Sequence, residues 1–315
     1  MAAIVICEFM DEDAITGVLA GHDLLYDAGL VDRRDDLLAA LGDARALIVR
    51  NRTQVNGELL ARAPKLQAVG RLGVGLDNID MTACKARGVA VYPATGANDI
   101  SVVEYVAAAM LTLLRGAYGA TAAVIDGKWP RTALIGGREA NGKRLGIVGF
   151  GAIGRKVGGV CAALGMTVCA HDPQIAAGDS VWSQPWGKVT RLDLDTLLKG
   201  SDVVSLHALL TGATRNMLDR ATIARMKRGA ILINAARGGI LDEAAVADAL
   251  RSGALGGAAL DVFEQEPLSK ERGQIFAGCR NVILTPHIAG LTVESNTRVS
   301  TMVAEKIRDH LAGGR

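Results

Sequence analysis

The apolar positions of this chain fall into short runs separated by amphipathic stretches, and the two alternate along most of its length. In the first hundred residues the runs Ile4 to Cys7, Leu24 to Tyr26, Ala46 to Val49, Ala68 to Val69 and Val89 to Val91 read as buried strands. Between them, DRRDDLLAAL and MTACKARG place apolar residues at helical spacing, the second ended by Gly88 just past its basic end. Such alternation predicts a parallel sheet with helices on both faces. The pattern breaks at PATGAND, residues 93–99, and a long apolar helix follows from Ser101 to about Leu114.

After an irregular segment, RGAYGATAAVIDGKWPRTALIGGREANGK, the alternation resumes from Arg144 to His287. The tail from Thr292 to Leu311 is helical, with Val299, Met302, Val303 and Ile307 on one face. No fixed short repeat and no low-complexity tract is present. Two runs of alternation in 315 residues predict an α/β protein of two doubly wound parallel-sheet units.

Composition narrows the partners. Basic and acidic residues balance at 35 and 33, aromatics are 3%, and no Lys/Arg cluster is interleaved with aromatics, so nothing marks a nucleic-acid surface. The N-terminal MAAIVICEFMDED lacks a basic n-region and reads as a first strand rather than a signal peptide. The stretch Tyr105 to Leu114 is half a membrane span bounded by Glu104 and Arg115, and is expected to be a buried helix, with no membrane partner. Cysteines 7, 84, 161, 169 and 279 form no CxxC pair and no ligand spacing with histidine. They are expected to be reduced thiols in a cytoplasmic protein with no metal site.

The clearest local signal is RLGIVGFGAIGRKVGGVCAALGMTVCAHDP, residues 144–173. A buried strand, Leu145 to Val148, leads into Gly149-x-Gly151-x-x-Gly154 at the start of a helix ending near Gly165; the next strand runs from Thr167 to Ala170, and Asp172 follows it. In a dinucleotide site the first glycine allows the tight turn, the second lets a pyrophosphate approach the backbone, and the third lets helix and strand pack closely. The helix N-terminus adds N–H groups and partial positive charge. An acid 23 positions beyond Gly149 completes the fingerprint. Asp172 would accept hydrogen bonds from ribose hydroxyls and repel a 2′-phosphate, which predicts NAD rather than NADP; the alternatives are glycines that only pack the helix and an Asp172 that only caps a turn.

A nicotinamide cofactor requires a proton donor and acceptor, a group that tunes it, and an anchor for substrate charge. Three later strand ends offer them: ILINAARGGILDE with Asn234 and Arg237, GGAALDVFEQEP with Asp261 and Glu266, and VILTPHIAG with His287. With RLGVGLDNID at residues 71–80, these motifs make nearly the whole chain resemble the D-2-hydroxyacid dehydrogenase family. By that resemblance Arg237, Glu266 and His287 match the catalytic trio. His287 would exchange the C2 hydroxyl proton as hydride moves, Glu266 would orient the imidazole, and Arg237 would hold a carboxylate and polarise the 2-oxo group. Read singly, these three are also compatible with a strand-end histidine, a solvated turn carboxylate and a surface ion pair.

The resemblance implies a Rossmann NAD domain, 98–287, inserted into a flavodoxin-like substrate domain formed by 1–97 and 288–315. Cofactor contacts are expected from Gly149, Gly151, Ala152, Ile153, Gly154, Asp172, His207, Ala235, Ala236, Asp261, Ala289 and Gly290, with Asp261 taking the carboxamide. The GVG turn, Val74 and Gly75, is expected to bind the substrate carboxylate through backbone N–H groups. Arg50, Arg52 and Arg71 follow strands that should face the cleft; each alone reads as a surface charge, and together they suggest a second anionic group on the substrate. Sulfolactate and 3-phosphoglycerate have one. A hydroxypyruvate or glyoxylate reductase, an NAD-sensing corepressor-like binding protein and a formate dehydrogenase are the other readings. The segment around Trp129 looks like a dimerisation arm, which implies a homodimer. One departure is local: the family's His-x-Pro-Leu-Thr is His207-Ala-Leu-Leu-Thr211 here.

Overall fold

The computed structural model describes residues 2–313. They form two compact units, one made of the residues up to Asn98 together with those from Leu291, the other Asp99–Gly290. The family resemblance implies these crossings after 97 and 287.

In the first unit five strands, β1 (Ile4–Ile6), β2 (Leu24–Tyr26), β3 (Ala46–Val49), β4 (Ala68–Arg71) and β5 (Ala90–Pro93), form a parallel sheet in the order β2-β1-β3-β4-β5. This is the flavodoxin-like order. Successive side chains point to opposite faces, so strands covered on both sides must be apolar throughout. Val5, Leu47, Val49 and Val69 pack with Leu37, Leu41, Leu59 and Leu60 on one face, while Ile4, Ile6, Ile48 and Ala68 pack with Val299, Val303 and Ile307 on the other. The latter three come from the C-terminal helix Val293–Leu311, which begins with a capping box between Thr292 and Ser295. It lies so close to β4 that a Cβ on Gly70 would come within 2.5 Å of Val303 Cγ1.

The second unit carries β6 (Arg144–Val148), β7 (Thr167–His171), a short hairpin of β8 (Ser183–Gln184) and β9 (Gly187–Lys188), then β10 (Thr190–Arg191), β11 (Val203–Leu206), β12 (Ala230–Asn234), β13 (Leu255–Leu260) and β14 (Val282–Leu284). Apart from the hairpin they form one parallel sheet in the order β10-β7-β6-β11-β12-β13-β14. Strand order reverses between β6 and β11, the switch point at which such sheets bind ligands outside their carboxyl ends. Helix Asp99–Arg115 covers one face beside helix Ala152–Ala163, burying Val106, Met110, Leu113, Val157 and Cys161 against Leu145, Ile147, Ile231 and Ile233. The long apolar helix is therefore a core element. On the opposite face, helices Leu194–Gly200, Arg220–Ala224 and Glu243–Arg251 begin with Asp193, Asp219 and Asp242, whose carboxylates accept N–H bonds from Thr196, Thr222 and Ala245 at 2.8–2.9 Å. Each such cap contributes about 1 kcal/mol.

Among the described residues no single helix is long and apolar enough to cross a membrane, and no group of three or more His, Cys, Asp or Glu is placed to hold a metal ion. The irregular segment after Arg115 holds only short helical turns and leaves Trp129 and Ile135 exposed, at 77% and 83%.

Candidate functional site

Everything that converges in the second unit hangs from the carboxyl ends of its strands. After β6 the chain turns at Gly149, whose φ is +91°, and a Cβ there would meet the His207 carbonyl and Ala208 N–H of the loop after β11 at 2.6–2.7 Å. Gly154 is equally closed, with Gly149 O only 2.5 Å from where its Cβ would stand. Gly151 differs: a Cβ would meet nothing within 4 Å, so this side of the turn is open. The N–H groups of Gly151, Ala152 and Ile153, at the start of helix Ala152–Ala163, donate to no partner among the described residues. Two closed glycines and one open one, facing an unsatisfied helix N-terminus, fit a bound pyrophosphate.

Asp172 does two jobs at once. Its Oδ1 accepts from Gln174 N at 3.0 Å, closing the turn after β7, and its Oδ2 accepts from Phe150 N at 2.9 Å, tying that turn to the glycine loop. Each oxygen keeps a lone pair for a ribose hydroxyl. His207, just after β11, bonds through Nε2 to Ser205 Oγ at 2.9 Å; desolvation by burial pushes its pKa down to about 4, so the ring is neutral at physiological pH. Where the proline of the related motif is missing, Thr214 takes over: its Oγ1 accepts from Thr211 N at 2.7 Å and donates to Leu209 O at 2.6 Å.

The three strand-end motifs meet. Buried Asn234 closes the turn after β12, its side chain accepting from Ala236 N at 3.1 Å and donating to Arg237 O at 2.9 Å. Gly238 then lies directly on the loop after β13, since a Cβ on it would stand 1.8 Å from Phe263 O. That contact brings the Arg237 turn onto the loop that carries Glu266. Glu266 Oε1 accepts from Phe263 N at 2.9 Å, and its Oε2 lies 2.6 Å from His287 Nδ1. Burial raises the Glu266 carboxyl, but the bonds from His287 and Phe263 N–H and the charges of His287 and Arg237 outweigh it, holding the group below the ordinary carboxylate range. It is therefore an ionised acceptor. A carboxylate on Nδ1 fixes the tautomer that leaves Nε2 of His287 for proton exchange.

His287 itself sits at φ +55°, a region that non-glycine residues rarely occupy. What holds it there is Asp261, 1% exposed at the end of β13. Its backbone oxygen accepts from His287 N at 2.8 Å, Oδ1 accepts from Ile288 N and Thr285 Oγ1 at 2.8 and 2.7 Å, and Oδ2 accepts from Ala289 N at 2.8 Å. Thr285 in turn bonds Tyr105 Oη at 2.6 Å, from helix Asp99–Arg115. The family resemblance implies a carboxamide contact for Asp261; in the structure it clamps the histidine loop, and one lone pair of Oδ2 is left for such a donor. Ala289 is buried with its N–H spent on that clamp, whereas Ala235 and Ala236 are part-exposed after β12. Gly290 closes the unit. Neither Tyr105 nor Thr285 stands out in the sequence as a site residue, and no periodic signal marks them.

The remaining candidates lie in the first unit. The N–H groups of Val74 and Gly75 donate to no partner among the described residues, which leaves the GVG turn able to receive an anion. Arg71 folds back on that turn: its Nη1 donates to Leu72 O at 2.7 Å and lies over Gly73. Arg52 is exposed and paired with Asp32. Arg50 is half-buried, with Nη2 on Asn296 Oδ1 at 2.5 Å and its guanidinium 5.4 Å from the Phe9 ring centroid, and it has no carboxylate in an ion pair among the described residues. The three arginines therefore differ: Arg52 is exposed in an ion pair, Arg71 is folded onto its own turn, and Arg50 is held half-buried between Asn296 and Phe9.

These geometries agree with what the chain is similar to. The family described as D-isomer specific 2-hydroxyacid dehydrogenase, NAD binding domain, matches residues 107–289. A protein of Chromohalobacter salexigens named (S)-sulfolactate dehydrogenase is 50% identical over 309 residues, which cover 98% of both chains. The D-3-phosphoglycerate dehydrogenase of Mycobacterium bovis is 41% identical over 280 residues, 89% of this chain but only 52% of that one. Among solved structures, the D-lactate dehydrogenase of Aquifex aeolicus, in complex with NAD and lactic acid, superposes with a TM-score of 0.85 at 28% identity, covering 99% of this chain and 96% of that one. The glycine turn with its acid, the paired imidazole and carboxylate, and these likenesses lead to one conclusion: the chain belongs to the D-isomer specific 2-hydroxyacid dehydrogenase family and is an NAD-dependent oxidoreductase.

Proposed function

We propose that this enzyme interconverts a 2-hydroxy acid carrying a C3 sulfonate or phosphate with its 2-oxo acid, and that sulfolactate is the first substrate to test. The reaction rests on one observation, the 2.6 Å contact between His287 Nδ1 and an ionised Glu266. NAD, when bound, supplies the hydride acceptor for oxidation and its reduced form the donor for reduction. His287 Nε2 takes the C2 hydroxyl proton in oxidation and returns it in reduction, a transfer typically worth about 10² to 10⁴ in rate. Glu266 favours the imidazolium that forms and holds the ring in register. Arg237 offers a planar fork of donors to the substrate carboxylate and the 2-oxo group, which a lysine cannot match in geometry.

The C3 anion is supported by the half-buried Arg50 with its polar and aromatic cradle, and by the full-length relative named for sulfolactate. The S label of that acid reflects sulfur priority, and its arrangement matches a D-hydroxy acid. Steady-state kinetics on sulfolactate, 3-phosphoglycerate, glycerate and D-lactate test the reading. A strong preference for one of the first two is expected; equal use of the uncharged-tail acids contradicts it. A homodimer in the cytoplasm belongs to the same reading. Its support is the exposed apolar segment with Trp129 and Ile135 and five cysteines in no disulfide, and a monomer mass by light scattering would refute the dimer.

A further inference from the structure

The loop that follows β3 makes an unusual use of an internal charge. Because β1 and β3 are neighbours, their following loops meet, and Glu8, 4% exposed, reaches from one into the other. Its Oε1 accepts from the backbone N–H groups of Arg50 and Thr53 at 2.9 and 3.0 Å, and its Oε2 from those of Asn51 and Arg52 at 3.3 and 3.2 Å. Four successive N–H groups turned toward one point form a nest of the kind that binds anions. Here the anion is already in place. The carbonyls of the same loop are held by Asn78, whose Nδ2 donates to Arg50 O at 3.3 Å and Thr53 O at 2.7 Å.

With its amides filled, this loop can meet an external anion only through side chains. Arg52 is occupied by Asp32, and Arg50 is aimed between Asn296 and Phe9. We propose that Glu8 is a positioning residue for substrate specificity: by filling the nest of residues 50–53 it fixes the backbone from which Arg50 presents its guanidinium to the C3 anion. This rests on the substrate reading above. Burial lowers the pKa of Arg50 and the nearby Glu8 charge opposes that, so the carboxylate lies close enough to act on the guanidinium as well as on the backbone.

The test uses Glu8→Gln, which turns a donor toward the nest at unchanged size, Glu8→Asp, which withdraws the carboxylate by one methylene, and Arg50→Gln. For each, kcat and KM are measured with sulfolactate, 3-phosphoglycerate and D-lactate, together with NADH affinity by fluorescence and the melting temperature. Glu8→Gln is expected to raise KM for the C3-anion acid about tenfold or more, the worth of a hydrogen bond to a charged group, with kcat, D-lactate kinetics and NADH affinity preserved. Glu8→Asp should show the same selective KM effect, smaller, and carries the test if Glu8→Gln does not fold. An equal loss with all three acids marks Glu8 as merely structural and overturns the proposal. If Arg50→Gln abolishes the preference for the C3-anion acid while neither Glu8 variant changes it, the proposal fails alone. If Arg50→Gln leaves the preference intact, the substrate reading fails and the proposal with it.

Discussion

Replacing Asp261 by Asn probes how the catalytic loop is held. The substitution keeps the side chain's size and changes one oxygen to an amide nitrogen in a site that is 1% exposed. With the carboxamide oxygen in the Oδ1 position, the bonds from Ile288 N and Thr285 Oγ1 survive but lose their charge assistance. The nitrogen then faces Ala289 N–H at 2.8 Å, donor against donor. Losing one bond to a charged group costs about 1.5–3 kcal/mol, and weakening two more brings the expected destabilisation to about 2–4 kcal/mol. For a unit of this size each kcal/mol is worth about 2–4 °C, so a fall in melting temperature of about 5–10 °C is expected. The positive φ of His287 depends on this clamp, so turnover should fall at least about tenfold at saturating NADH and oxo acid. Scanning calorimetry and steady-state kinetics measure both. A variant with normal melting temperature and turnover that binds NADH weakly would refute this reasoning and return Asp261 to the cofactor alone.

Three further outcomes follow from particular contacts. Gly238→Ala places a methyl group 1.8 Å from Phe263 O, so the Arg237 turn must separate from the Glu266 loop; a loss of about 2 kcal/mol or more and a fall in kcat/KM are expected, and unchanged kinetics would contradict the packing. Glu266 has its pKa held below its ordinary 4.5 in the folded protein, so its stabilising contribution is present above pH 4.5 and lost as pH falls through the depressed value. The melting temperatures of the wild type and Glu266→Gln should therefore converge on acidification, and a gap independent of pH would speak against the ionised pair. Asp172→Ser removes the charge beside the ribose site and should lower the NADH over NADPH preference about tenfold or more, as judged by kcat/KM for each cofactor.

Much of this was legible in the sequence because it is carried by periodicity and by glycine. Strands buried on both faces must be continuous apolar runs, so β3, β6, β11 and β12 stand out unaided. Gly149 and Gly154 are demanded by backbone contacts closer than any side chain permits, and their spacing records that demand. The grips that position the site left no such trace. Asp261 and Glu8 act by collecting N–H groups from loops more than twenty residues away, and neither spacing nor composition encodes which backbone a buried carboxylate will find. The hairpin of β8 and β9 was equally silent: its Trp186 ring lies against Gly158 and Gly159, a fit between a large side chain and two absent ones on a distant helix. The arginines show the reverse case. Sequence treated Arg50, Arg52 and Arg71 alike, whereas their neighbours pair Arg52 with Asp32, fold Arg71 onto Gly73 and set Arg50 between Asn296 and Phe9.

The account depends on His287 as the proton-exchanging group, and turnover of His287→Ala tests that most directly. With NADH affinity measured in the same preparation, the variant should bind cofactor normally and turn over the 2-oxo acid at least about a hundredfold more slowly than the wild type. Wild-type turnover from a chain without that imidazole would contradict the mechanism.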